Sequence, residues 1–380
     1  MNGSVDRPPV TLVAHLPYYR HAATALHRAG LLHRYLTVGA RRGQEDGEPW
    51  ESLYTGLSVR ALGRTIARRW PPAANWLRAR MVDCELLVRA RDSKVLHYLL
   101  GLGEATGRVV HGRGGVVVCD TRSPHHAWSA TRTADLLRRD GVTWQNPAAW
   151  NLRRFDRELA RADLVVCPSE WAAATYRKCG VQSPVVGVTL GCDLDRFRPV
   201  GEPPRRLTLL FAGRRRPVKG FATLARALKL LERPVDLLVT GTPDRWTSRW
   251  VSGVPGEVRF LGEVPHRRMA EVYAASSVLV LPSYEEPFGL VVLEALASGR
   301  PVVVSDNVGA AEVLVGTEAG WVCPAGDAAA LATVLEKLAV DPDALRGATA
   351  SAREVAERWS WDAYGSRLLD VYEEYVLPLL

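Results

Sequence analysis

The chain reads as an α/β protein made of two parallel-sheet halves. Three observations point there. Short apolar runs of strand length alternate with helix-period patterns along both halves, which is the pattern of βαβ units whose sheet is covered on both faces. A segment with three prolines and a glycine, Phe197-Arg-Pro-Val-Gly-Glu-Pro-Pro204, separates the halves as a linker would. In the second half, two charged segments each follow an apolar run and open a helical pattern, and such turns lie at the carboxyl edge where open α/β sheets bind ligands.

In the first half, 10–15, 115–120, 164–167 and 185–189 read as buried strands. Helical periodicity covers 22–29, 76–99, 130–139 and 152–162. The polar, glycine-containing stretch 39–48 reads as a loop, and Trp70-Pro-Pro72 ends a helix. In the second half the strands fall near 207–212, 235–240, 258–261, 278–281 and 301–304, with helices between them, and 359–380 is helical again.

At 380 residues the chain suits two or three domains. A hydrophobic content of 47% and a charged content of 24% are those of a globular protein. No apolar run is long enough to span a bilayer, and the polar start is not a signal peptide, so a cytoplasmic location is expected. Six scattered cysteines without a Cys-x-x-Cys pair, and no histidine cluster at ligand spacing, argue against disulfides and structural zinc.

The net charge of +8 is uneven, with nine basic and three acidic residues between Arg60 and Lys94. Arg60, Arg64 and Arg68 recur every four residues, while Leu62, Ile66 and Trp70 mark another face of the same helical pattern. Such a segment can rest on an anionic membrane surface or meet an acidic acceptor. A solvated helix whose arginine stems cover the core accounts for it equally well. No nucleic-acid-binding motif accompanies the charge, so nucleic acid is not an expected partner.

The most informative stretch is Glu286-Pro-Phe-Gly-Leu-Val-Val-Leu-Glu294. It follows the apolar run Val278-Leu-Val-Leu-Pro282, and a helix beginning near Phe288 carries Glu294 about two turns in, on nearly the same face as Glu286. At ~1.5 Å rise per residue the two carboxylates would stand roughly 12 Å apart. That is too far for an acid and base working on one bond, which need about 5–10 Å, and suits gripping two ends of a long ligand. Helix N–H groups opening near Phe288 would face an anion such as a diphosphate. The second segment is Gly213-Arg214-Arg215-Arg216-Pro217-Val218-Lys219-Gly220, between a strand pattern and a helix pattern. Arg214 offers a planar fork to phosphate oxygens and Lys219 a compact charge. Walker-loop and Gly-x-Gly-x-x-Gly spacings are both absent. Each segment alone also has a plain structural reading: a solvated basic loop, or a carboxylate at the positive end of a helix.

Together the two segments resemble glycosyltransferase family 4, the retaining transferases of GT-B fold, whose two Rossmann-like domains face each other across a cleft. The resemblance runs from about Arg161 to the end, through Ala162-Asp-Leu-Val-Val-Cys-Pro-Ser-Glu170 and Gly191-Cys-Asp-Leu-Asp-Arg-Phe-Arg-Pro199. It implies an acceptor-binding domain over 1–198, a nucleotide-sugar domain over 199–359, and a final helix, 360–380, crossing back to the first. It also implies that Gly213, Arg214, Lys219, Glu286, Phe288, Gly289, Leu290 and Glu294 bind the donor. In that reading Arg214 and Lys219 neutralise the leaving diphosphate, Glu286 holds the sugar hydroxyls and Glu294 the ribose. The donor would be a nucleoside-diphosphate sugar, UDP by family frequency, and the acceptor a hydroxyl compound. Neither cofactor nor metal is expected.

In the first half, Asp120-Thr-Arg-Ser-Pro-His-His126 follows a strand, and the family pattern selects His125 over His126 as the cleft histidine, with Asp120 at the strand end. The family's usual Gly-Gly loop after the first strand is replaced by His15-Leu-Pro-Tyr-Tyr-Arg20, so His15 and Tyr18 become acceptor-side candidates, as do Asp120 and His126. Packing roles for His15 and Tyr18 remain open at this level. So do three other readings of the chain: a GT-B phosphorylase or epimerase, a silent nucleotide-sugar binder, and a basic adaptor acting through 60–94.

Overall fold

The computed structural model describes residues 9–37, 50–53, 71–144, 148–202, 204, 206–213, 216–241 and 245–380. The first half contributes β1 Val10–Ala14, β2 Leu32–Thr37, β3 Trp50–Ser52, β4 Val95–Leu99, β5 Val116–Asp120, β6 Leu164–Cys167 and β7 Val185–Gly187. They form a seven-stranded sheet in the order β3-β2-β1-β4-β5-β6-β7. The second half contributes β8 Thr208–Phe211, β9 Asp236–Val239, β10 Val258–Phe260, β11 Val278–Leu281, β12 Val302–Ser305 and β13 Gly320–Cys323, in the order β10-β9-β8-β11-β12-β13. Neighbouring strands in both sheets run parallel.

Helices cover both faces, so β1, β4, β5, β6, β8, β11 and β12 are buried along their whole length and carry few polar side chains. Strand order reverses between β1 and β4 in one sheet and between β8 and β11 in the other. Crevices open at such switch points, and the loops that leave β1, β8 and β11 therefore meet over the cleft.

The structure corrects the sequence reading in several places. The periodic stretch 76–99 is not one helix: the helix is Pro71–Arg89, and β4 follows it in the middle of the first sheet. A strand buried on both faces shows no alternation, and its apolar run therefore merges with the helix before it. The strands β2 and β3 and the helix Glu104–Gly112 carry too much mixed polarity to register, β13 is a run of only four residues opening on glycine, and β7 stops at Gly187 rather than 189. Pro71 and Pro72 open the helix Pro71–Arg89, as proline at a first turn allows, and the helix they were expected to end lies outside the described residues. The loop reading of 39–48 and the arginine face of Arg60, Arg64 and Arg68 lie outside the described residues.

The last helix, Trp361–Tyr375, packs against Tyr19–Arg28 of the first half and buries Tyr364, Leu368 and Tyr372 there. The Tyr372 hydroxyl lies 2.7 Å from His97 Nδ1, inside the first sheet. Further bonds cross the cleft near its floor. Ser169 Oγ donates to Pro287 O at 2.7 Å, and Thr133 Oγ1 donates to Glu285 at 2.7 Å. Buried Asp140 accepts from Arg226 at 2.6 Å and from the Tyr284 hydroxyl.

Candidate active site

On the second domain, the loop after β8 ends in a short turn, Pro217–Lys219, and closes on Gly220 at φ 69°. A Cβ at Gly220 would stand 1.8 Å from the Pro282 carbonyl oxygen, so only glycine lets this loop pass under the one that leaves β11. The Tyr284 N–H donates to Val218 O at 2.8 Å and ties the two loops together. The β11 loop is held from its other side as well, since Glu286 N–H donates to Asn307 O at 3.0 Å and Gly309 N–H to Glu286 O at 2.9 Å. This double lacing brings the Lys219 ammonium against the Glu286 carboxylate, with both side chains mostly buried. Gly213 lies at the rim, its N–H bonded to Thr240 Oγ1 at 3.1 Å. Arg214 lies outside the described residues.

The helix after Glu286 starts later than its sequence suggests. Phe288 is buried in the core, Gly289 at φ 96° makes the turn, and the helix is Leu290–Ala297. Glu294 therefore lies little more than one turn in. Its carboxylate is buried and already partnered, accepting from the Tyr273 hydroxyl at 2.8 Å and bonding His266 Nε2 at 2.8 Å. That bond raises the His266 pKa above its ordinary value against partial burial.

Two adjoining cavities share Tyr18 and Leu290. One, of about 310 Å³, is walled by Lys219, Glu286, Gly289, Arg216 and, from the first domain, Tyr18 and Arg122. The other, of about 450 Å³, holds Glu294 and His266 opposite His21, Asp193 and Trp361. Glu286 and Glu294 thus serve neighbouring compartments, the arrangement that suits a ligand with two ends. A larger cavity of about 630 Å³ lies at the amino ends of β1, β4 and β5, beside Pro9, Lys94 and Gly115. It is on the wrong edge of the sheet for a site of this architecture.

The first-domain wall departs from expectation. His125 does not line the cleft cavity. It caps the short helix His126–Trp128, its Nδ1 accepting from Ala127 N–H at 3.2 Å, and lies buried against the Tyr176 ring. Burial, with His126 beside it, lowers its pKa to about 4. His126 faces Asp156 at 3.3 Å, also away from the cavity. His125, His126 and Asp156 bring ligand-type atoms within 4.8 Å of one another, a histidine grouping that the sequence spacing did not reveal. His15 lies under the first loop, where burial first, then Arg78, lowers its pKa to about 4.

The residue of this loop that does reach the cavity is Arg122. Its Nε donates to the Tyr19 hydroxyl at 2.9 Å and its Nη2 to Asp120 at 2.8 Å, and its guanidinium sits over the Tyr18 and Tyr19 rings at 5.1 and 4.6 Å. Asp120 is therefore the buried support of Arg122 rather than an acceptor contact. The sequence did hold a trace of this pair, an acid at a strand end with an arginine two residues on.

Residues 206–341 match the family of glycosyl transferases group 1. The chain is 33% identical over 238 residues to D-inositol 3-phosphate glycosyltransferase of Streptomyces bingchenggensis, a match covering 56% of this chain and 52% of that protein. It is 31% identical over 304 residues to the protein of the same description in Rhodococcus jostii, covering 73% and 66%. The chain thus spans between about half and two thirds of these relatives' length. Sucrose-phosphate synthase from Thermosynechococcus elongatus shares the fold with a TM-score of 0.68 at 21% identity, over 97% of this chain and 99% of that one. Anabaena Alr3699/HepE in complex with UDP-glucose does so with a TM-score of 0.61 at 16% identity, over 96% and 99%. Residues 206–341 thus form a group 1 glycosyl transferase domain, and the chain as a whole has the two-domain GT-B fold.

Proposed function

We propose that the protein is a retaining glycosyltransferase that moves a sugar from a nucleoside-diphosphate sugar, UDP-linked by preference, to a hydroxyl acceptor. One observation carries this reading: Lys219 and Glu286 meet in the cleft cavity beside the Gly289 turn that opens the helix Leu290–Ala297. A cation there offsets the charge that develops on a departing diphosphate, and a carboxylate beside it accepts from sugar hydroxyls. Fixed charges of this kind supply much of the barrier lowering in group transfer. The neighbouring cavity, with Glu294 and His266, takes the nucleoside end. The relatives described as D-inositol 3-phosphate glycosyltransferases and the Anabaena protein bound to UDP-glucose support this class of donor and acceptor.

In this reading the chemistry needs no metal, because Lys219 and Arg216, which line the cavity, offset the diphosphate charge instead of a divalent ion. Among the described residues no helix is long and apolar enough to cross a membrane. Our reading is of a cytoplasmic protein whose basic stretch 60–94 has the charge to meet an anionic membrane surface.

Thermal-shift screening with UDP, GDP, ADP and their sugars tests the donor, since a ligand bound to the native state raises its stability. One nucleoside diphosphate should raise the melting temperature, and its sugar should be hydrolysed slowly with release of the same anomer. Turnover should survive excess chelator. Binding without any hydrolysis or transfer would reduce the protein to a nucleotide-sugar binder.

A further inference from the structure

Arg122 is the best-prepared cation of the cleft, yet it faces the second domain with one nitrogen unused. Two of its three nitrogens are fixed by Tyr19 and Asp120, its face lies over two tyrosine rings, and Tyr364 of the crossing helix stands alongside. Its Nη1 is buried and has no hydrogen-bond partner. A buried donor of a charged group left unmade is costly, and it persists where the fold holds it for a ligand. The cavity it lines carries Arg216 and Lys219 on the facing wall and Glu286 as its acid. An arginine fork matches phosphate oxygens.

The first turn of the helix behind this wall offers little in its place. The first-turn amides of Tyr19–Arg28 are already bonded, Tyr19 to Leu16 O, Arg20 to Pro17 O and His21 to Tyr18 O. The N–H groups of Tyr19, Arg20 and His21 are therefore not free for an anion. Resting on the nucleotide-sugar reading above, we propose that Arg122 is the first domain's ligand for the donor diphosphate, its Nη1 donating to a phosphate oxygen while Lys219 holds the group from the second domain. The diphosphate then bridges the two domains, and the cleft closes on it.

Titration calorimetry with UDP, GDP and ADP on the full chain tests this. Arg122→Gln should weaken the nucleoside diphosphate that the parent binds by about tenfold or more, the loss of one charge-assisted bond. Arg122→Lys should fall between the two. Because Arg122→Gln leaves buried Asp120 with only His97 Nε2, at 3.4 Å, as a side-chain partner, the double variant Asp120→Asn/Arg122→Gln is measured beside it, with melting curves as the check on folding. The double variant should show the same loss, and a shallower dependence of affinity on salt. Unchanged affinity in a folded double variant would overturn the role of Arg122 while leaving the transferase reading intact. Failure of the parent chain to bind any of the three nucleotides would overturn both.

Discussion

On the second domain's wall, Lys219 and Glu286 sit in two loops that follow neighbouring strands of one sheet, and backbone bonds lace those loops together. On the first domain's wall, Tyr18 and Arg122 come from the loops after β1 and β5, and Tyr364 of the crossing helix stands beside Arg122. The second domain's wall is written locally, as strand, loop and helix in a fixed spacing. The first domain's wall exists only once segments far apart in sequence have packed. Local spacing survives as a recognisable motif, whereas a wall assembled from distant segments leaves no such trace.

The largest effect expected from breaking the laced wall is at Gly220. Gly220→Ala would drive a Cβ into the Pro282 carbonyl, and stability should fall by about 4 kcal/mol or more, read as loss of soluble folded protein. Normal folding of this variant would show that the two loops are not locked together. Next come the charges the lacing presents. Lys219→Ala and Glu286→Gln should each lower turnover by about a hundredfold or more, with the melting temperature moving only a few degrees. Their effects should not add, because each removes the other's partner. A variant that keeps most of its activity would remove that residue from the chemistry.

A smaller, opposite response to pH separates the two walls. Burial lowers His15 and His21 to about 4, so below the ordinary value of 6.5 the unfolded chain takes up protons that the first domain refuses. Stability there is complete above about 6.5 and declines as pH falls toward 4. His266 is shifted the other way by Glu294. Its contribution is complete below 6.5 and is lost as pH rises through its higher folded value. Hydrogen exchange resolved by segment should show the first domain loosening at pH 5 and the region around His266 loosening on the alkaline side. The same response in both domains would refute the contrast. The smallest effect on the cleft belongs to the basic patch: Arg60, Arg64 and Arg68 replaced together by Gln should weaken binding to anionic vesicles at low salt and leave donor hydrolysis unchanged. Vesicle binding equal to the parent's would make the patch ordinary surface.

The strands of the second sheet that flank its switch point, and the Lys219 and Glu286 positions, were legible because apolar runs end there in punctuating Gly and Pro residues. The central strand β4 was not, since it is buried on both faces and joins the preceding helix without a proline or glycine between them. Glu294 was legible as a buried carboxylate in need of partners, but Tyr273 and His266, which supply them, lie more than twenty residues away along the chain. His125 was preferred over His126 on the family pattern, and Arg122 was not singled out, because a histidine in a loop after a strand looks chemical. The turn that makes His125 a helix cap, and the two tyrosines beneath Arg122, are tertiary facts.

The crossing helix also sets an order of events during synthesis. The first domain lacks a wall of its core until Trp361–Tyr375 arrives, and the whole second sheet is translated in between. At about 5–20 residues per second that gap lasts on the order of ten to thirty seconds. Throughout it, the apolar face of Tyr19–Arg28 and the imidazole of His97 wait for Tyr364, Leu368 and Tyr372. On the ribosome the second domain can therefore finish folding before the first. The first domain is completed by residues made after the whole second sheet.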